Sequence, residues 1–188
     1  MVKLNRIYTR TGDAGTTGLV DGSRVAKDAA VVQAMGDVDE ANSALGVALS
    51  ALGDHPAVPT LLTIQNDLFD VGADLATPAG IDGALRIVPE QVAALEAAID
   101  RVNDELSPLT SFVLPGGSAG AAALHLARAI VRRAERSAVA AHHDAPLNPD
   151  LLSYLNRLSD FLFVLARKVN ENGALDVLWV PGGKRPKP

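Results

Sequence analysis

The sequence contains no cysteine, which excludes disulfide bonds and thiolate metal sites. Aromatic residues make up only 4% of the chain, although 48% of its 188 residues are hydrophobic. Alanine and leucine must therefore supply most of the core, and both favour closely packed helices. A chain of this length suits one domain with a sizeable core.

Long apolar runs are missing as well. No segment reaches the roughly 18 consecutive apolar residues of a membrane-spanning helix, and the initial "MVKLNRIYTR" lacks the apolar core of a signal peptide. We therefore expect a cytoplasmic protein that does not enter a membrane. The net charge of −5 argues against general attraction to nucleic acid or anionic lipid, so any anion site must be local.

Common phosphate-binding motifs are also absent. There is no Walker lysine after the first glycines, and no dinucleotide fingerprint between a strand and a helix. His125, His142 and His143 do not have the helical spacing of a metal pair. We expect these histidines on the surface and predict no metal site built from His or Cys.

A polar loop, "IYTRTGDAGTTGLVDG" at residues 7–22, lies almost at the start of the chain. Its glycines Gly12, Gly15 and Gly18 recur at every third position, and glycine lets another group approach the backbone closely. Exposed backbone N–H groups in such loops form concave anion sites. The residues alone leave two interpretations open, a flexible turn or a cradle for phosphate. Within this segment only Ile7 and Tyr8 have the character of a strand.

Beyond the loop, apolar residues recur every three or four positions, which is the spacing of one helix face. Five such stripes are separated by glycine and proline, and they occupy residues 34–52, 61–75, 92–106, 120–138 and 151–169. Strand-like alternation is absent. We predict an all-α, five-helix, up-and-down bundle with short links. It should form a single domain over residues 1–188, with a disordered tail at about 181–188.

Three arginines on the fourth predicted helix are more than a bundle needs. Arg128, Arg132 and Arg136 are four residues apart and share one face, where like charges repel by about 0.2–0.5 kcal/mol per pair. Glu135 can offset part of this repulsion. The strip is either a solvated face whose long side chains cover alanines or a site for an anionic ligand or carboxylate. Its position beside the apolar seam favours the second interpretation.

Polar residues also flank the seams of two other helices. Asn156 and Asp160 are four residues apart on the fifth helix. They belong either to a buried network that fixes helix register or to a ligand site between helices. Asp39, on the first helix, is a candidate partner for one guanidinium of the arginine strip.

Five ordered segments resemble the cob(I)alamin adenosyltransferases of the propanediol-utilisation type, and together they extend over nearly the whole chain. The segments are "YTRTGDAGTTGL" at 8–19, "GDVDEANS" at 36–43, "FVLPGG" at 112–117, "ARAIVRRAER" at 127–136 and "LNRLSDFLFVLAR" at 155–167. The resemblance implies a homotrimer with active sites between subunits. It also implies transfer of the 5′-deoxyadenosyl group of ATP to reduced cobalamin, with release of triphosphate and a requirement for Mg²⁺.

Two other functions stay open at this stage. One is an adenosylcobalamin carrier with little turnover, and the other is a non-enzymatic helical module with a basic strip. If the chain is the enzyme, the resemblance allows for an electron-donating reductase and a cobalamin-dependent enzyme as partners.

The resemblance assigns the loop at about residues 7–27 to ATP and implies that residues 9–18 become ordered when ATP binds. The residues that would bind ATP are Thr9, Arg10, Thr11, Gly12, Asp13, Gly15, Thr16, Thr17, Lys27, Arg132, Glu135, Arg136 and Asn156. Ala14 stands where a lysine is common in the family, which could weaken ATP binding modestly.

The resemblance also implies roles on the cobalamin side. Asp39 and Arg128 would form an ion pair across the subunit interface, and Asp160 would be a structural acid on the last helix. Phe112 would displace the lower axial ligand of cobalt. The residues expected to take part in catalysis are Arg132, Phe112, Asp39 and Arg128.

Overall fold

The computed structural model describes residues 7–182 and places most of them in five helices. The helices are α1 Ala30–Leu52, α2 Val58–Leu75, α3 Pro89–Asn103, α4 Ala119–Asp144 and α5 Pro149–Val169. They confirm the predicted five-helix bundle. None of these helices combines the length and the apolar character that a membrane crossing requires. Residues 1–6 and 183–188 lie outside the described residues, and they include most of the tail predicted to be disordered.

Prolines and capping side chains determine where the later helices begin. Pro149 occupies the first turn of α5, where its missing N–H is not needed, and the side chain of Asn148 accepts a hydrogen bond from the Asp150 N–H at 3.1 Å. The Ser118 hydroxyl caps α4 in the same way by accepting from the Ala121 N–H at 3.2 Å. The helix boundaries therefore follow from local sequence.

Helix α4 packs between α1 and α5 and runs antiparallel to both. Near its start, a Cβ on Gly120 would lie 2.8 Å from Leu52 at the end of α1 and 3.3 Å from Val169 at the end of α5. Near its end, the Ser137 hydroxyl donates to Asp37, which lies early in α1, at 2.5 Å. A side chain at position 120 would require Leu52 to shift, so Gly120 allows the three helices to approach closely here.

Two links are longer than the predicted short links. Helix α3 packs against α5 and not against α4, its neighbour in sequence. Residues 76–88 connect α2 to α3 and residues 104–118 connect α3 to α4, so both links are longer than a short turn.

The prediction that strands are absent was wrong at one place. Strand β1, Thr16–Gly18, pairs antiparallel with β2, Arg24–Ala26, and Thr17 lies opposite Val25. Ile7 and Tyr8, the residues with strand character in the sequence, are not part of this hairpin. Each strand has only three residues, which is too short for an alternating pattern to be recognised.

A buried asparagine holds the turn that leads into α4. Asn170 is 1% exposed, accepts a hydrogen bond from the Ser118 N–H at 3.1 Å and donates to the Gly116 carbonyl at 3.2 Å. Gly117 has a φ of +100°, and a Cβ there would lie 2.2 Å from the Asn170 side chain. Both the backbone conformation and the lack of space therefore require glycine at position 117.

We expect Gly117→Ala to lower the free energy of unfolding by at least about 1–3 kcal/mol, because it adds backbone strain and forces Asn170 to move. Urea denaturation measures the effect. Gly116→Ala is the matched control, since a Cβ at Gly116 meets no atom within 4 Å and its φ lies outside the left-handed region. Equal stability of the two variants would contradict this account of the turn.

Candidate functional site

The glycine-rich loop lies against the exposed side chain of Lys27. A Cβ on Gly12 would lie 3.1 Å from the Lys27 Nζ, so the ammonium group rests against the bare backbone of this glycine. Gly15, with a φ of +80°, donates its N–H to the Gly12 carbonyl at 3.1 Å and accepts from the Lys27 N–H at 2.9 Å. The loop thus combines a lysine charge with glycine backbone that a ligand can approach.

Arg24, which sequence reasoning missed, ties two parts of this loop together. Its guanidinium donates to the Thr11 carbonyl at 2.9 Å, to the Thr16 carbonyl at 2.9 Å and to the Thr16 hydroxyl at 2.7 Å. Arg24 stands outside the glycine-rich run, and its role depends on the hairpin that brings β2 beside β1. Only recognition of that hairpin could have revealed it.

Most of the remaining polar residues of the loop are exposed. The hydroxyls of Thr9 and Thr11 share a hydrogen bond of 2.8 Å, and the Arg10 guanidinium lies 5.5 Å from the centre of the Tyr8 ring. Arg10 has a φ of +61°, which is uncommon for a residue with a side chain. Asp13 is exposed and Thr17 is half-buried in β1.

The structure brings the predicted nucleotide-binding residues of α4 and α5 together. The Asn156 amide donates to the Glu135 carboxylate at 2.7 Å, across the contact between the two helices. Arg132 and Arg136 are exposed on the same face of α4, and the Arg136 guanidinium donates to the Arg132 carbonyl at 2.9 Å. Glu135 therefore anchors Asn156, and the two arginine side chains remain open to solvent.

Arg157 is a second residue that sequence reasoning missed. Its guanidinium donates to the Asn156 side-chain carbonyl at 3.0 Å and to Glu96 of α3 at 2.8 Å. Because its carbonyl is held this way, Asn156 points its NH₂ group at Glu135. Asp160 is exposed and has an ionic contact with Arg157 at 3.9 Å, so the structure places it beside this network.

Arg133 does not belong to the arginine strip. It forms ion pairs with Asp37, at 3.4 Å, and with Glu40, both on α1. Asp37 is 5% exposed and also accepts the Ser137 hydrogen bond. The ion pairs of Arg133 therefore connect α4 to α1.

An apolar cavity of about 580 Å³ opens beside the first half of α4. It is lined by Phe112 and Arg128, both singled out from the sequence. His125, Phe163 and Trp179, which were not predicted as site residues, complete much of its wall. The cavity therefore joins the link before α4, the helices α4 and α5, and the segment after α5.

The Phe112 side chain is exposed to solvent and does not pack in the core, since it is 79% exposed. Its carbonyl accepts from the Trp179 N–H at 2.7 Å, and the Leu114 N–H donates to the Val177 carbonyl at 2.8 Å. The rings of Phe112 and Trp179 meet edge to face, with 6.1 Å between their centres. This backbone pairing holds both aromatic rings at the mouth of the cavity.

The polar groups of the cavity wall are poorly satisfied. The Arg128 Nε is buried and has no hydrogen-bond partner among the described residues, and burial lowers the pKa of this guanidinium, with a further contribution from Arg132. His125 is 2% exposed, so the expectation that it lies on the surface was wrong. It follows Leu124 on the seam of α4, where the segments that form the cavity cover it. Burial, and then the charge of Arg128, lower the pKa of His125 and keep it neutral near pH 7.

The loop and the cavity lie at opposite ends of α4. Leu19 and Val25 of the hairpin line a small apolar pocket together with Ala141, near the end of α4. Arg128 lies 13 positions earlier in the helix, or about 20 Å along its axis. Asp39 is exposed, and no ion pair joins it to Arg128 within residues 7–182. A single chain thus presents two separate candidate sites.

In the described part of the chain, no group of three or more His, Asp or Glu side chains converges where it could hold a metal ion. The acidic residues that lie near the arginine strip are already engaged by protein groups, as Glu135 is by Asn156.

Fold and site together define a helical-bundle protein with an exposed arginine strip beside an apolar cavity. The sequence profile described as cobalamin adenosyltransferase matches residues 7–169, and the chain belongs to this family. A corrinoid adenosyltransferase from Mycobacterium tuberculosis (strain ATCC 25618 / H37Rv) is 55% identical over 191 residues, covering 98% of this chain and 97% of the relative. One from Bacillus subtilis (strain 168) is 44% identical over 174 residues, covering 90% and 89%.

Solved structures of the same family share the fold. A variant of the PduO-type ATP:corrinoid adenosyltransferase from Lactobacillus reuteri, in complex with cobalamin and ATP, superposes with a TM-score of 0.88. It is 38% identical in sequence, and the match covers 94% of this chain and 97% of that one. A second variant of that enzyme, in complex with ATP, gives a TM-score of 0.85 at 39% identity, covering 93% and 100%.

Proposed function

We propose that this chain transfers the 5′-deoxyadenosyl group of ATP to the cobalt of reduced cobalamin, giving adenosylcobalamin and triphosphate. Membership of the cobalamin adenosyltransferase family supports this activity. The structural observation that carries it is the arrangement on α4, where the exposed Arg132 lies one turn from Arg128 on the wall of the apolar cavity. An anionic leaving group and an apolar-faced cofactor can therefore be held next to one another.

The glycine-rich loop would hold the triphosphate of ATP. Lys27 supplies a positive charge beside Gly12, and the nearby backbone N–H groups can point at phosphate oxygens. The threonine hydroxyls of Thr9, Thr11, Thr16 and Thr17, together with Arg10, Asp13 and Gly15, complete the predicted loop contacts. Arg24 has a positioning role here, because it fixes the backbone of Thr11 and Thr16.

On α4, Arg132 and Arg136 would stabilise the negative charge that grows on the triphosphate as it leaves. Preorganised charges of this kind lower the barrier because they need not rearrange during the reaction. Glu135 and Asn156 would contact the nucleoside, and Arg157 holds the Asn156 amide in one orientation. Mg²⁺ would enter with the phosphates of ATP and neutralise part of their charge.

The reaction needs no protein nucleophile, since Co(I) is itself strongly nucleophilic. Cobalt attacks C5′ of ATP, the bond from C5′ to oxygen breaks, and the triphosphate leaves with the electron pair. The chain must hold these atoms in line, which is where oriented binding lowers the barrier. Phe112 would occupy the lower face of cobalt, displace the lower axial ligand and keep water away.

A complete site would require a second copy of the chain. The loop and the cavity are about 20 Å apart along α4, so within one chain they cannot hold the triphosphate of ATP close to the cobalt of a corrinoid. A head-to-tail arrangement that closes into a ring brings the loop of one copy to the cavity of the next. We extend the proposal to a homotrimer, in which Asp39 of one copy pairs with Arg128 of its neighbour.

Other parts of the proposal concern the setting of the enzyme. Residues 1–188 would act as one functional unit in the cytoplasm. An electron-donating reductase would supply the reduced cobalamin, and a cobalamin-dependent enzyme would accept the product. Asp160 would support the site through Arg157, with which it has its described contact.

Incubation of the purified chain with chemically reduced cobalamin and Mg-ATP tests the activity directly. We expect a light-sensitive product with a cobalt–carbon bond, formed over many turnovers with release of triphosphate. The carrier alternative gives tight retention of adenosylcobalamin with few turnovers. An interaction module binds no ATP, and substitution of Lys27 has no effect on it.

The trimer can be tested by exchanging charges. Asp39→Arg and Arg128→Asp should each weaken assembly, because each places like charges opposite one another, and the double exchange should restore it at least in part. Multi-angle light scattering at micromolar concentration measures the mass. A fully active wild-type monomer would contradict the proposed assembly.

Substitution of the nucleotide residues should impair the use of ATP and not folding. Arg132→Ala and Asn156→Ala each remove a contact worth about 1.5–3 kcal/mol, the range for hydrogen bonds to charged groups. Steady-state kinetics with varied ATP measures the loss. Arg133→Ala is the matched control on the same helix; it should lower stability through Asp37 and leave ATP kinetics nearly unchanged. Wild-type ATP kinetics in both site variants would show that the assignment is wrong.

Phe112→Ala should leave the protein folded, because a side chain that is 79% exposed contributes little to the core. The variant should bind ATP normally but leave Co(II) cobalamin mostly five-coordinate, which electron paramagnetic resonance on the ATP complex shows directly. Its rate should fall sharply when cobalamin is reduced on the enzyme, and less when Co(I) is supplied. Phe69→Ala is the control, since Phe69 on α2 is 71% exposed and outside the cavity. A four-coordinate signal from folded Phe112→Ala would refute the role.

A further inference from the structure

Three of the six buried side-chain atoms that lack a hydrogen-bond partner in the described part of the chain belong to two residues of the apolar cavity. Among the described residues, the buried side-chain nitrogens without a hydrogen-bond partner include both ring nitrogens of His125 and the Nε of Arg128. These two residues are three positions apart on α4, so they share a helix face, and both line the cavity. Native proteins pair nearly all buried polar groups, so such a cluster indicates a partner that enters from outside the chain.

The chemistry of His125 narrows the kind of partner. Burial and the neighbouring Arg128 keep the imidazole neutral, so it offers one N–H donor and one acceptor nitrogen. Its ring already packs edge to face on Phe163, with 6.2 Å between centres, which fixes its orientation. A neutral group with both a donor and an acceptor is the best match for a neutral imidazole. Primary amides have this character, and the rim of a corrinoid carries several of them.

We propose that His125 is a corrinoid-binding residue whose imidazole hydrogen-bonds an amide side chain on the rim of the corrin ring. The inference rests on the proposed function, which places the corrinoid in this cavity. Phe112 and Trp179, at 79% and 41% exposure, form the outer wall. A molecule that enters the cavity past these rings reaches the imidazole of His125, which also lines it. His125 thus orients the corrinoid, while Phe112 acts on its cobalt.

His125→Phe tests this role, because phenylalanine keeps the ring and its contact with Phe163 but has no hydrogen-bonding atoms. The variant should be as stable as the wild type or more so, since unpaired buried nitrogens are removed. Equilibrium dialysis should show cob(II)alamin binding weakened by about 2- to 12-fold, the effect of one neutral hydrogen bond. The dissociation constant for ATP should not change. His143→Phe, on the exposed end of α4, is the matched control and should bind both ligands like the wild type.

His125→Asn and His125→Gln place an amide near the position of Nδ1 or of Nε2. At least one of them should restore most of the affinity, and the one that does identifies the nitrogen that bonds the corrinoid. Both variants also keep the test decisive if His125→Phe does not fold. If the two amide variants bind as weakly as a folded His125→Phe, or if His125→Phe binds like the wild type, the proposal is wrong.

A direct bond from His125 to cobalt would also overturn the proposal. Labelling with ¹⁵N-histidine distinguishes this case, because a coordinated imidazole changes the superhyperfine splitting of the Co(II) signal and a hydrogen-bonded one does not. Wild-type protein that binds no cobalamin would instead refute the proposed function itself. Normal cobalamin binding and adenosylation by both the wild type and His125→Phe would refute only the role of His125.

Discussion

The close packing of α4 between α1 and α5 is the constraint on which the site depends. Gly120 allows this approach at one end, and the alanines Ala127, Ala134 and Ala138 continue it along the buried face. Small residues fill the buried face of α4, and its charged side chains lie on the outward face. Arg132 and Arg136 can then remain exposed without disturbing the core, while the apolar seam supplies the bundle stability.

A second constraint holds the aromatic residues of the cavity. Arg167 and Asp176 form a buried ion pair at 2.9 Å, and Asp176 also accepts from Asn170 at 3.2 Å. A buried pair of this kind adds little stability by itself, but it fixes where the segment after α5 turns back. That segment pairs with the link before α4, so the exposure of Phe112 is imposed by polar contacts more than 50 positions away in sequence. An exposed aromatic held so firmly is characteristic of a binding surface.

The sequence predicted the bundle well because helical periodicity, caps and prolines are local signals, as at Pro149 and Ser118. It could not predict the β-hairpin, whose strands are too short for a pattern, or the burial of His125. His125 packs edge to face on Phe163 of the next helix, and only the folded chain creates that contact. Arg24 and Arg157 were missed for the same reason. Their roles exist only once the chain has folded, because each donates to a carbonyl that a sequence pattern does not reveal.

The distribution of charge along α4 suggests how assembly and chemistry are linked. Arg133 is neutralised within the chain by Asp37 and Glu40, whereas the buried Nε of Arg128 has no hydrogen-bond partner among residues 7–182 and Asp39 is exposed. A buried guanidinium nitrogen without a partner is unfavourable, so a carboxylate from a neighbouring copy would stabilise Arg128. If Asp39 of another copy supplies it, assembly sets the electrostatics of the cavity wall at the same time as it brings a loop to that cavity. The charge of Arg128 at the proposed corrinoid site would then be balanced only where the ATP loop of another copy is also present.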